Sequence, residues 1–357
     1  MAKMTVGMSL LPNFKGRREI DRSAGAVLAR VFEGARKEAD EFWSEKSNAA
    51  KRRHSRRRRK LADVGSTKAE RTKSAEAVST TERLAPRRSK KQKQPDLFLP
   101  DPDTRVIVGD CRDVLPTIKA GSVDCIFADQ PYNIGVEYKD WNDNLPEEEF
   151  WKFTFDWVDL CIEVLAPTGS FFAWLPPNIA NRVAVHLEDR GMFPINDIVV
   201  VQRFGQCRTT NFITGHVRLL YFAKDRERRT WNADRILVPS LRATKYKDKR
   251  TMNTKTPGKR VPFDVWGVDE KYFGRVSGAH SNKERRPQHP NQVPEVVVNR
   301  ALLATTNPSD LVLDPFAGSG TTGTVARALG CRSIGIEISK SYAKSAFERI
   351  REGAVRV

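Results

Sequence analysis

Residues 311–323, LVLDPFAGSGTTG, constrain the fold of this chain more than any other segment. An apolar run ends on an acid, Asp314, a glycine-rich turn follows, and a helix-forming stretch opens near Thr321. Gly318, Gly320 and Gly323 stand at the spacing G-x-G-x-x-G, which lets backbone approach a nucleotide-like ligand without Cβ clashes. A strand feeding a helix through such a turn is the repeating unit of a parallel sheet whose two faces are covered by helices. The chain after Pro100 repeats that alternation. Short apolar runs predict strands at 105–108, 123–128, 170–174, 197–201, 218–223, 311–313 and 333–336. Between them lie helical stretches over 147–165, ended by Ala166-Pro167-Thr168-Gly169, and over 294–305, 321–329 and 340–350. The strands around 197–223, joined by a polar loop, read as an antiparallel hairpin at the sheet edge. The expected class is α/β, mainly parallel.

What precedes this body is of another kind. Of the net charge of +18, residues 51–95 carry +13, residues 1–50 carry +2, and 96–357 carry only +3. Residues 51–60, KRRHSRRRRK, form a block of like charge that repels itself and buries almost nothing. Residues 1–95 are expected as a basic, largely disordered extension with one amphipathic helix at about 21–47, where Leu28, Val31, Phe32, Ala35, Ala39 and Phe42 recur at helical spacing. Arg56, Arg57, Arg58 and Arg59 are candidate contacts to nucleic-acid phosphates, where each cation releases a counterion and adds affinity without sequence preference. A solubilising tail or a nuclear localisation signal has the same composition.

No apolar run approaches the roughly 20 residues needed to cross a bilayer, and residues 1–12 lack an apolar core with a small-residue cleavage site. The five cysteines, Cys111, Cys125, Cys161, Cys207 and Cys331, are dispersed without a CxxC pair. They read as reduced, buried thiols of a cytoplasmic protein (nucleoid-associated in a prokaryote), with no disulfide framework and no metal site.

The chemistry sits at strand ends. Glu337 closes the strand after the glycine-rich turn, where a carboxylate can accept hydrogen bonds from ribose hydroxyls. Taken alone, these features also fit a dinucleotide-dependent dehydrogenase. The Asp-Pro-Phe-Ala lead-in, with Phe316, and the lack of an evident cation for a pyrophosphate fit S-adenosylmethionine better. A second apolar run, 123–128, delivers Asp129 to its end, followed by Gln130, Pro131 and Tyr132.

Here the sequence resembles the amino-methylating DNA methyltransferases. Asp129-Gln130-Pro131-Tyr132 resembles their motif IV, Asp-Pro-Pro-Tyr, and the glycine-rich segment resembles their motif I. Val108-Gly-Asp110-Cys111 resembles motif III, whose acid contacts the cofactor adenine. His289-Pro290-Asn291-Gln292-Val293-Pro294 resembles motif X, usually His-Pro-Thr-Gln-Lys-Pro, which wraps the methionine part of the cofactor. Phe263-Asp-Val-Trp266 matches a segment common shortly before motif X. With the base-pocket motif first and the cofactor motif last, the order is that of the β class. The resemblance implies a Rossmann-like methyltransferase sheet of the seven-stranded type, circularly permuted in motif order, and an enzyme of the kind found in restriction–modification systems.

It further implies S-adenosyl-L-methionine as cofactor, double-stranded DNA as partner, and transfer to an exocyclic amine, adenine N6 in preference to cytosine N4 because Asp129 stands where cytosine enzymes more often carry Ser. Asp129, the carbonyl of Gln130, Pro131 and Tyr132 would form the catalytic pocket, with Asp129 and that carbonyl accepting the amine N–H groups and Tyr132 stacking on the flipped base. Asp110, His289, Pro290, Gln292, Asp314, Phe316, Gly318, Gly320, Thr321 and Glu337 would hold the cofactor. Gln130 departs from the family's Pro, frees φ and adds an N–H, and is expected to loosen the loop and weaken activity. Residues 96–223 and 289–357 would form the two parts of the catalytic domain. Between them, 224–288 would form the target-recognition region, with Lys245, Lys247, Lys249, Arg250, Lys255, Lys259 and Arg260 as candidate phosphate contacts. A homodimer remains open. So do two rivals: an RNA or protein-glutamine methyltransferase, whose motifs usually run in the opposite order, and a non-enzymatic DNA-binding protein with Gln130 as the scar of lost catalysis.

Overall fold

A computed structural model describes residues 97–101, 103–202, 209–268, 284–286 and 289–355. The amphipathic helix expected at 21–47 and the arginine block at 56–59 lie outside the described residues, as does Cys207. Among the described residues, β1 (Leu97–Asp101), β2 (Thr104–Val108), β3 (Val123–Ala128), β4 (Leu165–Leu175), β5 (Phe193–Val201), β6 (His216–Ala223), β9 (Val265–Trp266), β10 (Leu311–Asp314) and β11 (Arg332–Glu337) form one sheet. Their order is β1-β2-β11-β10-β3-β4-β6-β5-β9. A separate two-stranded ribbon pairs β7 (Val238–Pro239) with β8 (Lys259–Arg260).

The centre, β2-β11-β10-β3-β4, is parallel throughout, and β5 and β6 form the expected antiparallel hairpin. Two short additions extend the sheet beyond seven strands. β1 doubles back on β2, and β9 pairs parallel with β5, so the hairpin lies one strand in from the edge.

Among the described residues, five helices of eight residues or more cover the sheet: α1 (Glu147–Val164), α2 (Pro177–Asp189), α3 (Glu295–Thr305), α4 (Thr321–Ala328) and α5 (Lys340–Glu352). On one face α1 and α2 bury Phe150, Phe153, Trp157, Cys161, Ile179, Val183 and Leu187 against Ile126, Phe171 and Leu220. On the other, α3 and α4 bury Val297, Val298, Ala301 and Val325 against Cys125, Phe172 and Val312. α5 packs Ala343, Ala346 and Ile350 on Val106 at the β1–β2 side. Cys111, Cys125, Cys161 and Cys331 are buried free thiols. No helix among the described residues is long and apolar enough to cross a membrane.

Helix α1 ends at Val164, and Ala166-Pro167-Thr168-Gly169 follows it as strand. The segment opens β4, whose pairing with β3 shifts register between Val123 and Cys125. The fold-back there leaves no room at Gly169, where a Cβ would sit 2.6 Å from Leu165 Cδ1. Helix α2, which the strand and helix patterns do not single out, starts on two prolines, Pro176 as cap and Pro177 in the first turn, where a missing N–H is tolerated.

One ion pair ties the second half together. Arg349 on α5 is 1% exposed and Glu295 on α3 is 0% exposed, with Nη2 and Oε1 2.9 Å apart. Arg349 also donates to the Ser319 hydroxyl and carbonyl and to Thr321 Oγ1, so the glycine-rich turn is fastened to two helices at once. Glu295 Oε2 accepts from the backbone N–H of Val355. Removing one partner of a buried pair strands the other charge. Glu295→Ala should therefore destabilise the protein by about 3–5 kcal/mol in urea unfolding, and a loss under about 1 kcal/mol would contradict this account.

Candidate functional site

The parallel register brings four strand ends level. Leu313 pairs with Ile126, Asp314 with Gly335, and Glu337 with Val108, so β3, β10, β11 and β2 all end at one edge. Asp129, Asp314, Glu337 and Asp110 follow or close these strands. They line one open cavity, which also takes in Tyr132, Tyr138, His289, Phe316, Gly318 and Tyr342.

At one end stands the 129–132 turn. Tyr132 Oη donates to Asp129 Oδ1 at 2.6 Å and lies 3.4 Å from the Trp174 carbonyl on β4. Gln130 is 2% exposed, and its amide is held at both atoms: Trp157 Nε1 donates to Oε1 at 2.6 Å, and Nε2 donates to Thr154 Oγ1 at 3.2 Å. The expected loosening is therefore corrected. The side chain replaces the rigidity of a proline by two hydrogen bonds to α1, and satisfies an indole N–H that would otherwise be buried alone. The chain then turns at Asn133, in the left-handed region at φ 58°. Asp143 Oδ1 accepts from Asn133 N, and its Oδ2 from Ile134 N and Val136 N, which clasps the loop after Tyr132. Nothing in the sequence singles out Asp143, because its three donors are main-chain groups.

At the other end is the glycine-rich turn. Gly318 N donates to Glu337 Oε2 and Ser339 N to Glu337 Oε1, both at 2.8 Å, so that carboxylate braces two loops as well as lining the cavity. Gly318 adopts φ 48°, and a Cβ there would stand 2.9 Å from His289 Nε2. Glycine is thus what lets motif X close over motif I. His289 contacts the Asn291 carbonyl through Nδ1, and its ring lies between Tyr138 and Tyr342, at 6.0 and 4.9 Å. Gln292 lines the cavity while holding the 284–286 strip through Arg286 N and the Glu284 carbonyl. Phe316 lines it too and packs edge-on against Trp157 at 5.1 Å.

Four predicted residues sit differently from expectation. Asp110 lines the cavity, but its carboxylate caps the 111–114 helical turn and is gripped by Arg112, at 2.6 Å from Nη2. Burial opposes its ionisation, and the Arg112 contacts outweigh that and hold it below the usual carboxylate range. Thr321 lines the cavity with its hydroxyl taken by Arg349. Gly320 does not line it. A Cβ there would meet Ala346 at 2.9 Å, so this glycine serves the contact between the turn and α5. Pro290 is not on the cavity wall either.

The candidate phosphate contacts lie elsewhere. Lys245, Lys247, Lys249, Arg250, Lys255 and Lys259 are exposed on the stretch from the 241–244 helical turn to β8. Arg260 stacks on Phe263 at 3.7 Å, and Arg250 pairs with Asp248. None of them lines the cavity.

The wall of the site is acidic and poorly solvated. Burial, with Asp314 nearby and against the Tyr132 hydrogen bond, raises Asp129 to about 7. Burial likewise raises Asp314 to about 6 and Glu337 to about 7. A cavity framed by a nucleotide-type glycine turn and three desolvated carboxyls fits a ligand that combines a nucleoside with fixed positive charge.

Comparison with known proteins agrees. Residues 123–348 match the model of the N6/N4 family described as DNA methylase. The chain is 32% identical over 249 residues to Type II methyltransferase M.HpaI of Haemophilus parainfluenzae, covering 70% of this chain and 74% of that one. It is 35% identical over 251 residues to DNA adenine methyltransferase YhdJ of Escherichia coli K12, covering 69% and 82%. In structure it is similar to the PvuII DNA methyltransferase (cytosine-N4-specific), with a TM-score of 0.52 at 17% identity, covering 71% of this chain and 94% of that one, which speaks to the fold. The fold is that of an S-adenosylmethionine-dependent DNA methyltransferase. The chain belongs to the N6/N4 DNA methylase family, in its β-class motif order.

The raised carboxyl pKa values make ligand binding depend on pH. Unfolded carboxyls titrate near about 4, and these three titrate at about 6 to 7 in the folded chain. Their stabilising contribution is full below about pH 4 and is lost as pH rises through about 6 to 7. A cationic ligand offsets the repulsion that then develops. The thermal shift produced by saturating S-adenosylmethionine should grow between about pH 5.5 and 8, and a flat shift would contradict the electrostatic reading.

Proposed function

We propose that the chain methylates the 6-amino group of adenine at a specific site in double-stranded DNA. The observation that carries this reading is Asp129, at the end of β3, sharing one cavity with Gly318 at the end of β10. When bound, S-adenosylmethionine supplies an electrophilic methyl group on a positively charged sulfur, with Asp314, Phe316, Gly318, Glu337, His289 and Gln292 holding it. The amine of a base is a poor nucleophile because its lone pair is delocalised into the ring, and its nitrogen gains positive charge as it reacts. Tyr132 engages Asp129 Oδ1, which leaves Oδ2 to accept one amine N–H while the Gln130 carbonyl accepts the other. These acceptors stabilise charge where it develops, inside a wall of low polarisability. The amine is sealed inside the duplex stack, so the base must be turned out to reach them.

Adenine is favoured by Asp129 in place of serine and by the 35% identity to a relative named a DNA adenine methyltransferase. We assign 224–288 to target recognition and the basic residues from Lys245 to Arg260 to phosphate contact, with Arg56–59 adding affinity from the N-terminal extension.

Incubation with labelled S-adenosylmethionine and unmethylated DNA, followed by mass spectrometry of the nucleosides, should yield N6-methyladenine. N4-methylcytosine would move the assignment to the other base, and absence of both would reject the enzyme. Asp129→Ala should lower transfer by about 100- to 1,000-fold or more with cofactor binding retained, and an active variant would refute its role. Removing residues 1–95 should weaken DNA binding and reduce the slope of log K against log salt by about 0.9 for each phosphate the arm neutralises. An unchanged slope would reject the arm.

A further inference from the structure

Phe212 is 96% exposed, more than any other large apolar side chain among the described residues, and Ile213 beside it is 50% exposed. Both belong to the loop between β5 and β6. The stem of that loop is closed by Gln202 N donating to the Gly215 carbonyl at 2.8 Å, and residues 209–214 are all exposed. The side-chain hydrogen bonds of 209–212 run between neighbours, Thr210 to Asn211 and Asn211 to the Phe212 carbonyl.

The position of the loop's stem is fixed by the ladder. β5 runs in the direction of β3, because both pairings β4–β6 and β6–β5 are antiparallel and β3–β4 is parallel. The loop therefore leaves the sheet at the edge where Asp129 emerges. Tyr132 Oη lies by the Trp174 carbonyl, Trp174 pairs with Leu219, and the hairpin continues outward to the pair Val201–His216. Three residues at about 3.3 Å each carry the loop stem roughly 10 Å beyond the level of the Tyr132 hydroxyl, and β6 stands two strand spacings, again roughly 10 Å, from β3. A duplex that delivers a base to Asp129 approaches the sheet edge from which this loop leaves.

An exposed phenyl ring cannot read bases by hydrogen bonding, and it gains nothing from phosphates. It can fill a gap in a base stack, and turning a base out of the duplex leaves such a gap. We infer that Phe212 enters the DNA stack at the position vacated by the extruded base and holds the duplex open during transfer. This rests on the proposed action on a base within duplex DNA. Phe212 is a positioning residue here; it touches neither the amine nor the donor.

The test uses the full chain and oligonucleotide duplexes carrying the motif it modifies in genomic DNA, with the target base opposite either its normal partner or an abasic site. Opposite an abasic site the target is already unpaired and turns out at little cost. Phe212→Ala should lose about 10- to 100-fold in kcat/KM on the paired duplex and recover to within a few-fold of wild type on the abasic one, whereas Phe212→Trp should keep most activity on both. An equal loss on the two substrates, or no loss on the paired duplex, would overturn the inference. If the wild type methylates neither, the duplex reading fails and this inference falls with it; if the wild type is active and Phe212→Ala matches it, only the role of Phe212 fails.

Discussion

The level ending of adjacent parallel strands is the constraint from which the site follows. β3 and β10 are neighbours, about 4.8 Å apart, and their pairing of Leu313 with Ile126 fixes how far each runs before it turns. A slip of one residue would send the side chains that now face α1 and α2 to the opposite face, so the buried alternation on both sides locks the register. With the register locked, Asp314 is close enough to Asp129 to disfavour its ionisation. The same logic extends through β11 to β2, where Glu337 pairs with Val108 and Gly109 N donates to the Glu337 carbonyl. Four separate stretches of chain thus meet on one wall.

That wall carries a cost. Three carboxyls at low hydration resist ionisation and favour a loosened state as they charge. The fold meets the cost locally by giving each carboxyl a hydrogen bond: Tyr132 on Asp129, Phe316 N on Asp314, and Gly318 N with Ser339 N on Glu337. Arg349 is kept behind the glycine-rich turn and engaged by Glu295, Ser319 and Thr321. Among the described residues no Lys or Arg lines the cavity, and Arg112, beside its wall, is engaged by Asp110.

Much of this is legible from residues alone, for a physical reason. Strands buried on both faces read as continuous apolar runs, so the pattern places β3 to the residue and β10 and β11 to within one residue at either end. The acids and glycines at their ends stand out because an acid after such a run has few structural uses. What escapes are interactions closed through the main chain or across long separations. Asp143 clasps three N–H groups, Arg112 saturates Asp110 two residues away, and Arg349 reaches Glu295 across 54 positions. None of these leaves a periodic trace. The looser loop expected from Gln130 is not found for a related reason: its effect on the loop depends on whether Trp157 and Thr154, 27 and 24 positions on, face it from α1.

The order of the motifs bears on how the site and the 224–288 stretch are joined. Because the cofactor turn follows the 224–288 stretch in sequence, the chain must leave the sheet after β6 and return through α3 before β10 can be laid beside β3. The excursion re-enters the sheet once, as β9 against β5, where Val199 N also donates to the Asp264 carbonyl. That short pairing anchors the far end of the polar stretch to the strand whose loop presents Phe212. The 224–288 stretch is in this way joined by main-chain hydrogen bonds to the hairpin that pairs with β4, the strand whose Trp174 carbonyl lies by Tyr132 Oη.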